Sequence, residues 1–577
     1  MTNAKASGAG SANTSPDNKV VTGGELVVRA LEQKGVEYIF TLSGGHIAPI
    51  YQHLLTSKIK LFDTRHEQAA VFMADAYARL TGKVGVVLVT AGPGFTNAIT
   101  GVANARMAGS PVVLLSGRIG LRMDERLDLQ EIEQRNVVAP ITKWAKTATK
   151  VNRIPELVDV AFKTALSGSP GPTFLEFPVD VLTAACQEAD VKFLDSPMCL
   201  KSMGDPAAIE AAATLIAKAK RPVIIAGSGA NFSGAADSIT ELVEETGVPF
   251  FTLSMGKGTL PEDHPLCFGS ALLIRPGAAG AAITAADVIV LLGTRINLFT
   301  MFGDVFPADA KIVHINIDPV EIGRNRRVDT AIVGDAGLVA GQLKQALSGR
   351  IAKDAFSGWV AELNKQHKFS LDTVKEQLNS EAVPIHPQRL MKEIDEFMGS
   401  EGIVVADGGD TSIWLGMTRK TYRHGDYLES GLFGCLGVGI PFALTAKLLH
   451  PKERVLLATG DGSLGFNFME INTAIRFRLP IVIVVSNDLG WGMIRHSQSL
   501  KFGPGVNVAT ELGSFPYHTV MEAMGGHGEL VEKPGDIRGA LERAFASGKV
   551  SLINVMTDPD VISPGSYALA NIAASAY

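Results

Sequence analysis

At 577 residues, with 46% hydrophobic and 19% charged side chains, the chain is too long for one core and too apolar for a disordered protein; about 100 to 200 residues per domain predicts three. A net charge of −6 without a basic block excludes an electrostatic footprint for nucleic acid, and no apolar run reaches the roughly 18 residues needed to span a bilayer. Cys186, Cys199, Cys267 and Cys435 show no CxxC spacing, so neither a disulfide framework nor a zinc site is expected, and a reducing cytoplasm is the simplest setting.

In chain order, residues 1–20 are small and polar without an apolar stretch and read as a flexible tail, not a signal peptide. From 21 to 190, the β-branched runs VEYIFTLSGG, IKLFDTRHE, VGVVLVTAGPG and SPVVLLSGR alternate with helix-like segments such as EQAAVFMADAYARLTG. After a linker around KFLDSPMCLKSMGDP, the runs RPVIIAGSGA, VPFFTLS, ADVIVLLGTR and AKIVHINID mark a second domain at 205–345. A polar, helix-rich link then leads to GIVVADGGD, RVLLATGDG, LPIVIVVSND and SLINVMTDP in a third at 380–560. Short apolar runs ended by glycine are how buried parallel strands feeding helices look, so the fold class is α/β with three doubly wound parallel-sheet domains. In such sheets ligands sit beyond the carboxyl ends of the strands, and the loops after these runs are where chemistry is expected.

The strongest local pattern is RVLLATGDGSLGFNFMEINTAIRFRLPIVIVVSNDLGWGM. One strand ends at Asp461 and the next at Asn487-Asp488, so two oxygen-bearing side chains can meet and hold Mg²⁺, leaving further positions to phosphate and water. Gly462 and Ser463 open a helix, whose free N–H groups suit diphosphate oxygens. The plainer alternative is a strand-to-helix turn in which Asp461 only caps the helix.

This segment resembles the cofactor motif of the thiamine-diphosphate enzymes. Much of the chain is similar to large-subunit acetolactate synthase, benzaldehyde lyase and 2-hydroxyacyl-CoA lyase, through TGGELVVRALEQKGVEYIFTLSGGHIAPIY, TAGPGFTNAITGVANA, LQEIEQ, MGKGTLPEDHPL and HINIDPVEIGRN. The resemblance implies a pyrimidine-binding first domain, a nucleotide-binding-like middle domain and a diphosphate-binding third. It implies that Glu67, in DTRHEQAAVF, bonds N1′ of the aminopyrimidine. A carboxyl is needed there because sharing a proton with N1′ lets the 4′-amino group become an imine that takes the C2 proton, giving the ylid. In ESGLFGCLGVGIPFAL it implies that the Gly434 carbonyl faces the 4′-amino group and that Leu436 props the cofactor in a bent shape. Asp410 and Thr411 match the diphosphate loop, and Met493 also falls in the cofactor site. The implied metal ligands are Asp461, Asp488 and the carbonyl of Gly490. Asp488 stands where the family usually has Asn, with Asn487 an alternative if the loop shifts by one.

His46, in SGGHIAPIY, falls where benzaldehyde lyase relatives have an active-site His, and an imidazole near neutrality can orient a substrate hydroxyl or carbonyl and shuttle its proton. Gln130-Glu131 match the Gln-Glu pair of acetolactate synthases, and Gln130 is read as catalytic; His496 is given no role. Two departures stand against the standard synthase: Ser497 replaces a substrate-selecting Trp, and GTRINLFTMFGDVF replaces the Arg-Phe-Asp-Asp-Arg type string of flavin-binding members. The resemblance thus leaves FAD, ADP or part of a CoA, or no ligand, open for the middle domain. It implies a carboligase acting on 2-oxo acids such as pyruvate, with an acyloin or 2-hydroxyacyl-CoA lyase second and a flavin-dependent pyruvate-oxidase type third. A homodimer or homotetramer is expected, because Glu67 and Asp461 lie on domains that meet across a subunit interface in this family.

Overall fold

Every β-branched run quoted above forms a strand. In the first domain the spatial order is Lys60–Asp63, Tyr38–Thr41, Gly85–Val89, Val112–Arg118, Thr173–Pro178 and Ala145–Thr147, all parallel. Gly85–Val89 is buried along its whole length, as a strand covered by helices on both faces must be. The computed structural model describes residues 19–194, 201–272 and 276–575; residues 1–18 of the expected tail, and the centre of the first linker with Cys199, lie outside them. Val20–Thr22 pairs antiparallel with Ala185–Gln187, tying the start of the first domain to its end.

The middle sheet runs Cys267–Ser270, Phe250–Thr252, Pro222–Ala226, Val288–Leu292, Lys311–Asn316, Thr330–Val333. The third runs Tyr427–Leu428, Gly402–Asp407, Arg454–Gly460, Val482–Asn487, Ser551–Met556, His527–Val531. Both are fully parallel. Numbering strands along the chain within each sheet, the first and third domains share the order 2-1-3-4-6-5, while the middle domain has 3-2-1-4-5-6. In each sheet the winding reverses beside the domain's first long strand, opening a crevice at the carboxyl ends of two neighbours.

The first and third domains share one apolar core. Helix Glu67–Thr81 packs on helix Gly439–Leu449, with the Phe72 and Phe442 rings edge-to-face at 6.4 Å. Burying each such side chain contributes about 1.5–3 kcal/mol. Arg79 pins the same junction: it pairs with Asp75 at 2.7 Å and donates to the Glu429 carbonyl at 2.6 Å. The middle domain has its own cores. The polar link contributes helix Ser357–Thr373 to that domain, through buried Trp359 and Leu363 and a bond from Trp359 Nε1 to the Pro222 carbonyl at 3.2 Å.

Candidate active site

At the switch point of the first sheet, between Tyr38–Thr41 and Gly85–Val89, three expected residues gather. Glu67 opens its helix and is buried, 6% exposed; its Oε2 accepts from Asn97 Nδ2 at 3.0 Å. A Cβ at Gly94 would stand 3.3 Å from Glu67 Oε1 and 2.7 Å from Thr90 Cγ2, so glycine leaves that oxygen its space. His46 sits in the 3₁₀ turn Gly45–Ile47, and its Nδ1, like Thr90 Oγ1, is buried without a hydrogen-bond partner among the described residues. Gln130 lies against Gly92 with φ +69°. Its loop is held by Glu131, whose carboxylate accepts from the N–H groups of Glu125 (2.6 Å) and Asp128 (2.9 Å). Gln134, to which sequence reasoning gave no role, accepts from Gly92 N at 2.8 Å and donates to the Gly117 carbonyl at 3.0 Å and to Glu176 at 2.9 Å. Its presence in LQEIEQ was the available signal.

The crevice of the third sheet lies between Gly402–Asp407 and Arg454–Gly460. Asp461 begins the short helix Asp461–Leu464, is 2% exposed, and keeps Oδ2 buried without a partner. Burial, with the Asp488 carboxylate beside it, pushes its pKa up to about 7. Burial raises Asp488 as well, opposed by Arg495, whose Nη2 lies 2.9 Å from Asp488 Oδ2. A buried and a half-buried carboxylate thus face each other, with one guanidinium paired to the second. A Cβ at Gly492 would overlap the Asp488 carboxylate. Asn487 is turned away, its amide on Asn554 Oδ1 at 3.0 Å and its carbonyl oxygen accepting from Leu489 N at 3.0 Å; Asp488 and not Asn487 therefore faces Asp461. The positive φ of Leu489, +62°, turns the chain into Gly490.

Around this pair, a Cβ at Gly460 would meet Thr411 Oγ1 at 3.4 Å, one at Gly408 would meet Ser463 Oγ at 2.9 Å, and one at Gly409 would meet Met493 Sδ at 2.8 Å. Thr411, Ser463 and Met493 therefore pack directly on these glycines, beside the N-terminus of helix Asp410–Thr418. The Asp410 carboxylate is already occupied: it accepts from Ser563 (2.5 Å) and Ser566 (2.9 Å) and meets His496 Nδ1 at 3.2 Å. Asp410 thus has its backbone N–H to offer an anion, not its side chain. Burial lowers the pKa of His496, but the bonds to Asp410 and to the Pro559 carbonyl outweigh it and leave it raised. The loop of Gly434 and Leu436 is clamped from below. Asp407 accepts from the N–H groups of Gly408, Gly437 and Gly439, and Asn467 Nδ2 donates to the Gly437 carbonyl at 2.7 Å.

Three family models match the chain: the N-terminal TPP binding domain of thiamine pyrophosphate enzymes over residues 21–137, their central domain over 209–343, and their C-terminal TPP binding domain over 407–555. The chain belongs to the thiamine pyrophosphate enzymes. It is 36% identical over 545 residues to the acetolactate synthase large subunit IlvG of Mycobacterium tuberculosis, covering 94% of this chain and 96% of that protein. It is 35% identical to a probable acetolactate synthase large subunit of Methanocaldococcus jannaschii (93% and 92% covered) and 34% identical to 2-hydroxyacyl-CoA lyase 2 of Homo sapiens (89% and 86% covered).

The residues of this thiamine-diphosphate-dependent enzyme fit the cofactor. The unpartnered Asp461 oxygen beside Asp488 is a donor set for a hard cation, and the helix that begins at Asp410 presents N–H groups that suit phosphate oxygens. Among the described residues no group of three or more His, Cys, Asp or Glu side chains is placed to hold a metal; Mg²⁺ needs only one or two carboxylates when phosphate and water complete its shell.

Proposed function

We propose that this enzyme makes or breaks carbon–carbon bonds next to a carbonyl, acting first as an acetolactate-synthase-like carboligase on 2-oxo acids such as pyruvate. The observation that carries this reading is the pair of half-sites: a buried Glu67 at one switch point and a buried Asp461 with an unpartnered oxygen at another, in a chain aligned over 94% of its length with an acetolactate synthase large subunit. Bound thiamine diphosphate supplies the nucleophilic carbon and the electron sink for such a reaction. Glu67 holds a proton at N1′ of the aminopyrimidine, with Asn97 fixing the carboxylate. Asp461, Asp488 and the Gly490 carbonyl hold Mg²⁺; Thr411, Ser463, Met493 and the Asp410 N–H line the diphosphate, and the Gly434–Leu436 loop supports the ring system. His46 and Gln130 orient the substrate carbonyl or hydroxyl, a role that the unpartnered His46 Nδ1 supports.

Exposed Leu127, Leu129, Phe466, Met469 and Phe502 lie in the segments around Gln130, Asp461 and Met493. These exposed apolar side chains support a homodimer or homotetramer in which each site is completed by a second copy. A cytoplasmic setting follows from the scattered cysteines. No helix among the described residues is long and apolar enough to cross a membrane.

A 2-hydroxyacyl-CoA lyase is the second reading. What favours it is an open cleft at the switch point of the middle sheet, lined by Gly227, Ser228, Thr294, Arg295, Asn297 and Phe299. Its strand-end glycine and the half-buried Arg295, whose Nη2 donates to the Met107 carbonyl at 3.0 Å, suit the phosphates of an ADP moiety, whether in CoA, ADP or FAD. The test is an assay of purified protein with thiamine diphosphate, Mg²⁺ and pyruvate, reading acetolactate as acetoin after acid treatment, with Glu67→Ala as the blank. Product that disappears in the blank supports the carboligase. No product from cofactor-loaded protein, with cleavage of a 2-hydroxyacyl-CoA instead, moves the reading to the lyase; flavin absorbance in the purified protein would favour the oxidase type.

A further inference from the structure

The turn that presents Glu67 is not held by its own domain alone. Glu470, in helix Glu470–Arg476 of the third domain, is 1% exposed. Its Oε1 accepts from the backbone N–H groups of Arg65 (2.8 Å) and His66 (3.1 Å), the two residues that precede Glu67, and its Oε2 accepts from Thr473 Oγ1 at 2.5 Å. The same helix grips the turn one step earlier, where Arg476 donates to Asp63 Oδ2 at 2.6 Å and to the Asp63 carbonyl at 2.8 Å. Phe477 stacks on Phe62 at 3.8 Å. Arg65 and His66 are themselves solvent-exposed, so without Glu470 their N–H groups would turn to water, leaving the helix start to the Thr64 hydroxyl on the His66 carbonyl (2.9 Å) and to the anchors at Phe62 and Asp63. The stretch carrying these anchors begins at Asp461, and on the way Asn467 bonds the Gly437 carbonyl.

We propose that Glu470 is a positioning residue for the reaction: by accepting both N–H groups ahead of Glu67, it sets where the Glu67 carboxylate stands, and it does so from the segment that carries Asp461. This inference rests on Glu67 having the role given above. The requirement is reach more than charge. Glu470→Gln keeps an oxygen for the two N–H groups, and the Thr473 hydroxyl can reverse its bond to accept from the new amide. Glu470→Asp keeps the charge but withdraws the oxygens by about 1.5 Å, one C–C bond.

Two readouts are needed, one of them independent of catalysis. In cofactor-free protein, amide hydrogen exchange over residues 64–68 is expected to speed up in Glu470→Asp and Glu470→Ala and to stay near wild type in Glu470→Gln. In the Mg²⁺ and thiamine-diphosphate holoenzyme, kcat is expected to fall about 10- to 100-fold in the Asp variant, the scale of a 1 Å misplacement. KM for pyruvate should stay within about threefold, and Glu470→Gln should recover most of kcat, since a group acting only on the chemical step lowers kcat without raising KM. The inference is overturned if Glu470→Asp exchanges and turns over like wild type, or if Gln is as impaired as Asp. Should Glu470→Ala fail to fold, the Asp and Gln pair still decides. Glu67→Ala is run alongside: activity retained there removes the role of Glu67 itself, whereas a dead Glu67→Ala beside a normal Glu470→Asp removes only the positioning role.

Discussion

Gly492→Ala probes the metal site without touching a charged group. A Cβ built there lies 2.0 Å from Asp488 Oδ2 and 3.1 Å from its Cγ. Carbon and oxygen rest comfortably at about 3.4 Å, so the carboxylate has to retreat by about 1.4 Å. Mg²⁺ binds oxygen at about 2.0–2.1 Å and tolerates little distortion, so a ligand displaced that far is lost. Arg495 still holds the displaced carboxylate, leaving Asp461 as the sole carboxylate facing the ion. The expected result is an apparent Mg²⁺ affinity lower by at least about 10- to 100-fold, the range seen when support for a metal ligand is removed. It is measured by stripping the protein with chelator and titrating activity back with Mg²⁺ at saturating thiamine diphosphate. Gly341→Ala is the control: its Cβ meets nothing, and in mid-helix it should stabilise by about 0.5–1 kcal/mol with the Mg²⁺ titration unchanged. A Gly492→Ala enzyme that recovers at the wild-type Mg²⁺ concentration would refute Asp488 as a ligand.

Asn97→Ala removes a side-chain donor to Glu67; kcat should drop about tenfold with Tm nearly unchanged, and an unaltered kcat would show that Asn97 does not fix the carboxylate. Asp407 carries a pH signature. Burial raises its pKa from 3.8 to about 6, the N–H groups of Gly439, Gly437 and Gly408 pulling the other way. A carboxyl raised on folding binds its proton more tightly in the folded chain, so its contribution is full below the unfolded pKa and is lost as pH climbs to the folded one, by about 3 kcal/mol in all. Asp407→Asn lacks that titration; between about pH 4 and pH 7 its stability should gain on wild type by this amount, and parallel Tm profiles would contradict it.

The interior of the fold was legible in the sequence because central parallel strands are buried on both faces and read as unbroken apolar runs, as in VGVVLVT or VIVLL. Most of the strands left unread are edges. Ala145–Thr147, Cys267–Ser270, Thr330–Val333, Tyr427–Leu428 and His527–Val531 each have one free side and short, polar or glycine-bearing sequences, which carry little periodic signal. Thr173–Pro178 is interior, but Glu176 and a terminal proline disguise it. The shared strand order of the first and third domains leaves no repeat in the sequence, since winding order is set by packing between distant segments.

In the site, residues on strand ends and helix starts could be named from motifs. What could not be named were residues that work through the backbone of another segment. Gln134 bonds the Gly92 N–H and the Gly117 carbonyl, Asp407 clamps three glycine N–H groups, and Glu470 reaches across domains to the turn before Glu67. Such bonds join positions far apart in sequence, and a backbone N–H has no letter of its own. Asp410 shows the converse: the motif named it for a diphosphate loop, and it begins helix Asp410–Thr418, yet its carboxylate is taken by Ser563, Ser566 and His496, partners read from the fold alone.

The most direct test of the central claim is the exchange of the thiamine-diphosphate C2 proton for deuterium on the protein, followed by quenched-flow NMR in wild type and Glu67→Ala at equal cofactor occupancy. Exchange that is fast in wild type and falls by about 100-fold or more in Glu67→Ala is the expected result for a carboxyl acting at N1′. Equal exchange rates in the two proteins would contradict the assignment of Glu67 and, with it, the site built around it.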